Sequence, residues 1–300
     1  MSAADSGLAW CFLPRDSRWR RRDPWGERLL ETSGKTLYAA DMREMRCRHL
    51  DAWEWSLDAL NHAPGLVVCR IRLSGFIEKE GYPRYYIVHR GGMITTRRGG
   101  LRHLPRTYEG VGRKERLYAN EFHALWMGNA TLVVHRFACD LADLSLQTER
   151  AMGGEPDKRV WTMVETRRAW LAGLLSEGEL QAEWMAFEAA EREHNKWRPP
   201  VPRGRPMTAS ESYEHKIWNL HAFSLSAVRY ATEPVPLAAG RSVQNVKAAI
   251  GVAANARTAR HSETQEEWIV KQRAAVEAIN VELGRRLTDT FAPEVVSDHA

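Results

Sequence analysis

The sequence predicts an α+β fold: a small β-containing N-terminal domain over residues 1–127, then a mostly α-helical C-terminal domain over 128–300. Three observations predict it. The run "LVVCRIRLSGFIEKEG" (66–81) alternates apolar and polar residues with a period of two, as a strand with one buried face does. After Gly128 successive stretches instead carry apolar residues at helical spacing. Two proline-rich pieces, "RPPVPRGRP" (198–206) and "TEPVPLAAG" (232–240), break the helical half, because proline lacks an amide donor and restricts the residue before it.

Residues 1–34 mix Trp10, Trp19 and Trp25 with arginines and read as an irregular arm pinned by its indoles. "KTLYAADM" (35–42) reads as a short strand. "DAWEWSLDALNHAPG" (51–65) fits a helix with Trp55, Ala59 and His62 at i, i+4 and i+7, stopped by Pro64-Gly65. In the strand 66–81, Val67, Cys69, Ile71 and Leu73 form the apolar face. "RYYIVHR" (84–90) and "LYANEFHALWM" (117–127) read as further strands, joined by a long arginine-rich loop at about 91–116. Loops longer than roughly 12–15 residues are uncommon in compact domains, and many are functional.

In the helical half, Val134, Phe137, Ala138, Leu141 and Leu144 share a face, with Asn129 as the expected N-cap. Asp157 opens the next helix. Ser176 with Glu179, and Thr208 with Glu211, form capping boxes that start two more. "SVQNVKAAIGVAANARTA" makes a small-residue helix, and Ser262 with Gln265 caps the last. Trp161, Trp170, Trp184, Trp218 and Trp268 each sit on an expected helix. They serve as core between helices or line a groove for a partner's helix.

The chain carries a formal charge of +5, but residues 1–120 hold 22 Lys/Arg against 14 Asp/Glu while 121–300 hold 21 against 24. Nine basic and two acidic residues lie between Arg84 and Arg116. Such asymmetry points to an anionic partner. No apolar run approaches the roughly 20 residues of a membrane helix, which argues against a membrane role. The first residues lack the order of a signal peptide, so the expected location is the cytoplasm, or the host cytoplasm if the gene is phage-borne. Cys11, Cys47, Cys69 and Cys139 show no zinc spacing and read as free thiols, Cys69 and Cys139 on apolar faces.

The segments "LDALNHAPGLVVCRIRLSGFI" (57–77), "LWMGNATLVVHRFACDLADLSL" (125–146) and "VETRRAWLAGLLSEGELQAEW" (164–184) together resemble an uncharacterised bacterial and phage domain family with an Ala/Trp-rich helical tail. The resemblance covers about a third of the chain and implies no assigned activity. Asp51 stands where the family has a histidine, so no histidine-dependent chemistry carries over. The basic stretch is an insertion relative to the family.

That stretch is the strongest functional signal. Arg97, Arg98, Arg102, Arg106, Arg113 and Lys114 are expected to contact an anion, and Tyr85, Tyr86, His103 and Tyr108 offer stacking surfaces. The expected function is non-catalytic binding of nucleic acid or an acidic protein surface, a plain solvated loop being the other reading of the stretch, with self-association through the helical domain as a further expectation. A purely helical protein-interaction scaffold is the alternative of another class. No Walker or Rossmann pattern surrounds Gly91-Gly92 or Gly99-Gly100, and no cofactor or metal is expected. His49, Asp51, Glu54 and Asp58 read as the wet face of a short helix; His135, Asp140, Glu211 and His215 read as helix-surface residues. An enzyme alternative comes from the helix-to-strand passage ending in Leu73-Ser74-Gly75, which resembles mono-ADP-ribosyltransferase cores. That resemblance would give Arg70 or Arg72 the dinucleotide and Glu121 the ribose.

Overall fold

The computed structural model describes residues 8–13, 36–38, 52–63, 65–89, 93–95, 101–103, 107–200, 207–237, 240–257 and 265–291. The strands are β1 (Leu8–Leu13), β2 (Thr36–Tyr38), β3 (Ala52–Trp53), β4 (Val67–His89), β5 (Met93–Thr95), β6 (Leu101–His103) and β7 (Thr107–Asn129). The helices are α1 (Ser56–Asn61), α2 (Thr131–Ala151), α3 (Lys158–Leu171), α4 (Glu177–Lys196), α5 (Ala209–Thr232), α6 (Gly240–Arg257) and α7 (Gln265–Phe291). The chain is thus α+β with a mostly helical C-terminal region, as the two periodicities predict.

β4 and β7 pair antiparallel along almost their whole lengths, from Val67↔Asn129 to His89↔Thr107. β1 lies along the root of β4, from Leu8↔Arg72 to Leu13↔Val67, and meets β3 at Trp10↔Trp53. β3 in turn pairs with β7 at Ala52↔Leu117 and Trp53↔Arg116. The pairings β1–β4–β7–β3–β1 therefore close into a ring, and β2 adds to β7 at Leu37↔Phe122. Register shifts at Arg70/Ile71 and Ser74/Ile77 supply the bending that such a closure needs.

The ring has two buried sides. Cys69, Ile71 and Leu73 alternate with Arg70 and exposed Arg72 as the period of two predicts, and Cys11 joins them directly opposite Cys69. Trp10, Phe12 and Val68, of the other parity, belong to a single core that continues through Leu57, Val134, Phe137, Met163, Phe187, Leu225, Ile250 and Leu283. The change at Gly128 is one of secondary structure; the packing runs across it. Residues 8–13 are a strand in this core, not part of an irregular arm, because Trp10 and Phe12 bury against the helices. Trp19 and Trp25 lie outside the described residues.

The helix expected over 51–65 is shorter. Ala52 and Trp53 are taken by strand pairing, Trp53 stacks on His62 with ring centres 4.3 Å apart, and the helix is confined to Ser56–Asn61. The other helix starts follow their local signals. Asp157 accepts from the Arg159 amide, and both predicted capping boxes form. Asn129 works one position early: its Oδ1 accepts from the Thr131 amide and hydroxyl, while Ala130 is the N-cap. Ser262 lies outside the described residues. α2 sits at the centre of the helical region, touching α3, α5, α6 and α7.

Candidate functional site

The basic stretch is not one long loop. Arg113 and Lys114 lie in β7, opposite Pro83 and Tyr82, and Arg102 lies in β6 opposite Ile94. Tyr85, Tyr86 and Tyr108 are in the same ladder, opposite Val111, Gly110 and Val88, and His103 pairs with Met93. From Gly81↔Glu115 outward to His89↔Thr107 the two strands pair with no other described strand. Arg97, Arg98 and Arg106 lie outside the described residues, as do Gly91-Gly92 and Gly99-Gly100. Periodicity hid the strand over 107–116 because it carries little apolar alternation; cross-strand hydrogen bonds define it instead.

The remaining sequence candidates separate. Arg70 is packed with its guanidinium carbon 4.4 Å from the Trp10 ring centre, and burial lowers its pKa to about 10. Arg72 is exposed, and Glu121 pairs with Ser74. Asp58 is 5% exposed rather than on a wet face, because α1 lies between β1 and α7. His135 is also interior. Its Nε2 lies 2.6 Å from Ser242 Oγ, and burial, aided by nearby Arg167, pushes its pKa down to about 3. Cys11, Cys69 and Cys139 are free and buried, and Cys47 lies outside the described residues.

A second site, which no motif announced, lies where α2, α4 and α5 meet. α2 ends in a Schellman turn: the Gly154 amide donates to Glu149 O at 3.0 Å and that of Gly153 to Arg150 O at 3.1 Å. Gly153 has φ +86°, and a Cβ there would stand 2.6 Å from the Tyr213 hydroxyl. This close turn brings Glu149, 1% exposed, beside His221 of α5, whose Nδ1 is 2.5 Å from Glu149 Oε1. Glu149 Oε2 is buried and has no hydrogen-bond partner.

His194 of α4 completes the cluster. Its ring centre is 4.3 Å from that of His221 and 5.3 Å from that of Trp218, on which it stacks. Burial, with the neighbouring His221 charge, lowers the His194 pKa to about 4, so the ring is neutral near pH 7, and its Nε2 is buried without a partner. Trp218 Nε1 donates to Trp197 O at 2.8 Å and the Tyr213 hydroxyl to Met152 O at 3.0 Å, which fixes both rings at the rim. Between them is a groove of about 380 Å³. Of the five tryptophans singled out in the sequence, Trp218 lines this groove, beside Trp197, whereas Trp184 is core.

Elsewhere in the helical region several arginines meet the chain's own carboxylates. Arg168 meets Asp140, Asp143 and Glu165; Arg286 meets Asp140 and Glu282; Arg159 meets Asp157 and Glu193. Among the described residues no group of three or more His, Cys, Asp or Glu is placed to hold a metal, and no helix is long and apolar enough to cross a membrane. Comparison of the chain with protein-family models, with curated proteins and with solved structures finds no match.

Proposed function

We propose that this protein is a non-catalytic binding protein that grips a nucleic-acid duplex with its basic hairpin. The observation that carries the reading is the continuity of β4 and β7: Arg84, Arg113, Lys114 and Arg116 are mounted on a two-stranded ribbon whose root, at Val67 and Val68, is buried in the core. At about 3.3 Å per residue, the nine pairs' worth of ladder beyond Glu80 gives a reach of about 30 Å. A two-stranded ribbon fits the DNA major groove. Positions of one parity along the ladder carry Tyr82, Arg84 and Tyr86 on one strand and Tyr108, Lys114 and Arg116 on the other. Between Arg84 and Arg116 nine basic residues stand against two acidic ones, whereas Arg168 and Arg286 of the helical region meet the chain's own carboxylates.

The test is fluorescence anisotropy with a mixed-sequence duplex across a salt series. If all six predicted cations meet phosphates, log K should fall against log salt with a slope of about −5. Replacing Arg97, Arg98, Arg102, Arg106, Arg113 and Lys114 with glutamine should remove binding. Absent or salt-independent binding by the unaltered chain would overturn the reading, and nuclease-resistant capture of an acidic protein would redirect it to a protein surface.

A further inference from the structure

The groove between α2, α4 and α5 has the opposite electrical character to the hairpin. Glu149, Glu155 and Glu214 line it together with Trp197, Tyr213 and Trp218, and none of its lining residues is lysine or arginine. Acidic residues alone would be an ordinary wet surface. Here one of them is 99% buried and offers an unsatisfied oxygen, although a buried carboxylate oxygen without a donor is costly. Trp197 and Tyr213 are meanwhile 58% and 50% exposed and line the same groove with Trp218, and contiguous exposed aromatic surface of this kind marks ligand-binding grooves.

We propose that this groove is a binding site for an organic cation, an alkylammonium or alkylguanidinium group, anchored on Glu149 and held against the exposed aromatic rings. An N–H of such a group satisfies Glu149 Oε2, and the π faces attract its charge. Glu155 and Glu214, both exposed, add long-range attraction at the mouth. The rim already shows this recognition within the chain: the Arg198 guanidinium carbon lies 5.2 Å from the Trp218 ring centre. The same chemistry is presented by a free polyamine and by a lysine or arginine side chain of a peptide, and binding experiments separate the two.

The experiment is calorimetric titration of the whole chain, without nucleic acid, using agmatine, spermidine and a capped arginine tripeptide, with glutarate as the anionic control. Saturable binding of at least one cation is expected, with none for glutarate. Binding of the small amines identifies a free cation as the ligand; binding of the tripeptide alone identifies a peptide side chain. Glu149→Gln should weaken the interaction at least tenfold. Should that variant fail to fold, the exposed pair Glu155→Gln/Glu214→Gln should still weaken it several-fold. Arg198→Ala removes a competing intramolecular cation and should tighten it. Failure of all three cations to bind, unchanged affinity in a folded Glu149→Gln variant or in the exposed pair, or weaker binding after Arg198→Ala each overturns the proposal. Loss of the six hairpin charges should leave this binding intact, so the two sites fail or stand separately.

Discussion

Asn280 of α7 caps α1 from 223 residues away: its Oδ1 accepts from the Leu57 amide and from the Ser56 hydroxyl, each at 3.1 Å. Trp55, the local N-cap, does not cap the helix with its side chain, so a helix too short to be stable alone takes its cap from the far end of the chain. Asn280→Ala should therefore cost about 1–2 kcal/mol, because it leaves a helix-end amide unsatisfied, while the Ser56 hydroxyl keeps the Asn280 main-chain carbonyl as acceptor at 3.2 Å. Urea unfolding followed by tryptophan fluorescence measures it; an unchanged midpoint would show that the cap is dispensable.

Arg167 should be a liability. It is 1% exposed, stacks on Trp170 with its guanidinium carbon 4.4 Å from the ring centre, and keeps Nε and one terminal nitrogen without acceptors. Burial lowers its pKa to about 10. Arg167→Met keeps most of the packed stem and removes the unsatisfied donors, and should stabilise the chain by about 1–3 kcal/mol. A lower denaturation midpoint would contradict this account.

Stability should fall in mild acid. The His135 pKa is about 3 in the folded chain, against about 6.5 for a free imidazole. The unfolded chain therefore takes up the proton first. The stabilisation from neutral His135 is complete above about pH 6.5 and is lost as pH falls towards 3, at up to about 1.4 kcal/mol per pH unit. His194, lowered to about 4, acts in the same direction. Denaturation midpoints between pH 7 and 4 should show the slope, and His135→Asn should flatten it.

Gly128 and Phe291 should be coupled. A Cβ on Gly128 would stand 2.2 Å from the Phe291 ring, which also stacks with Trp126 at 5.7 Å between centres. Gly128→Ala must displace that ring and should cost about 1–3 kcal/mol. In a Phe291→Ala background the same change should cost much less, and additive effects in this double-mutant cycle would refute the coupling.

What the sequence made legible was whatever one turn of chain decides. The caps at Asp157, Ser176 and Thr208 were readable because donor and acceptor are two or three residues apart. The face Cys69, Ile71, Leu73 was readable because burial imposes the period. The strand over 107–116 was not, since glycines and charged residues take the place of apolar alternation there, and only its partner, with Tyr85 to Val88, carries an apolar run. Asp58 and His135 looked like surface residues because the elements that cover them, α7 and α6, are over a hundred residues away in sequence. Glu149 and His221 lie on different helices and meet only through the packing of α2 on α5; the Gly153-Gly154 pair after α2 was the one local hint.

The ring of strands at the base of the sheet leaves the root of β4 flanked on both sides, by β1 and β7. Beyond Glu80 each strand of the hairpin has a neighbour on one side only among the described residues, and two such hairpins meeting side by side could pair through their outer edges. Like charge and Pro83 should oppose that encounter. A charge-stripped hairpin should consequently self-associate as its concentration rises, which light scattering would detect.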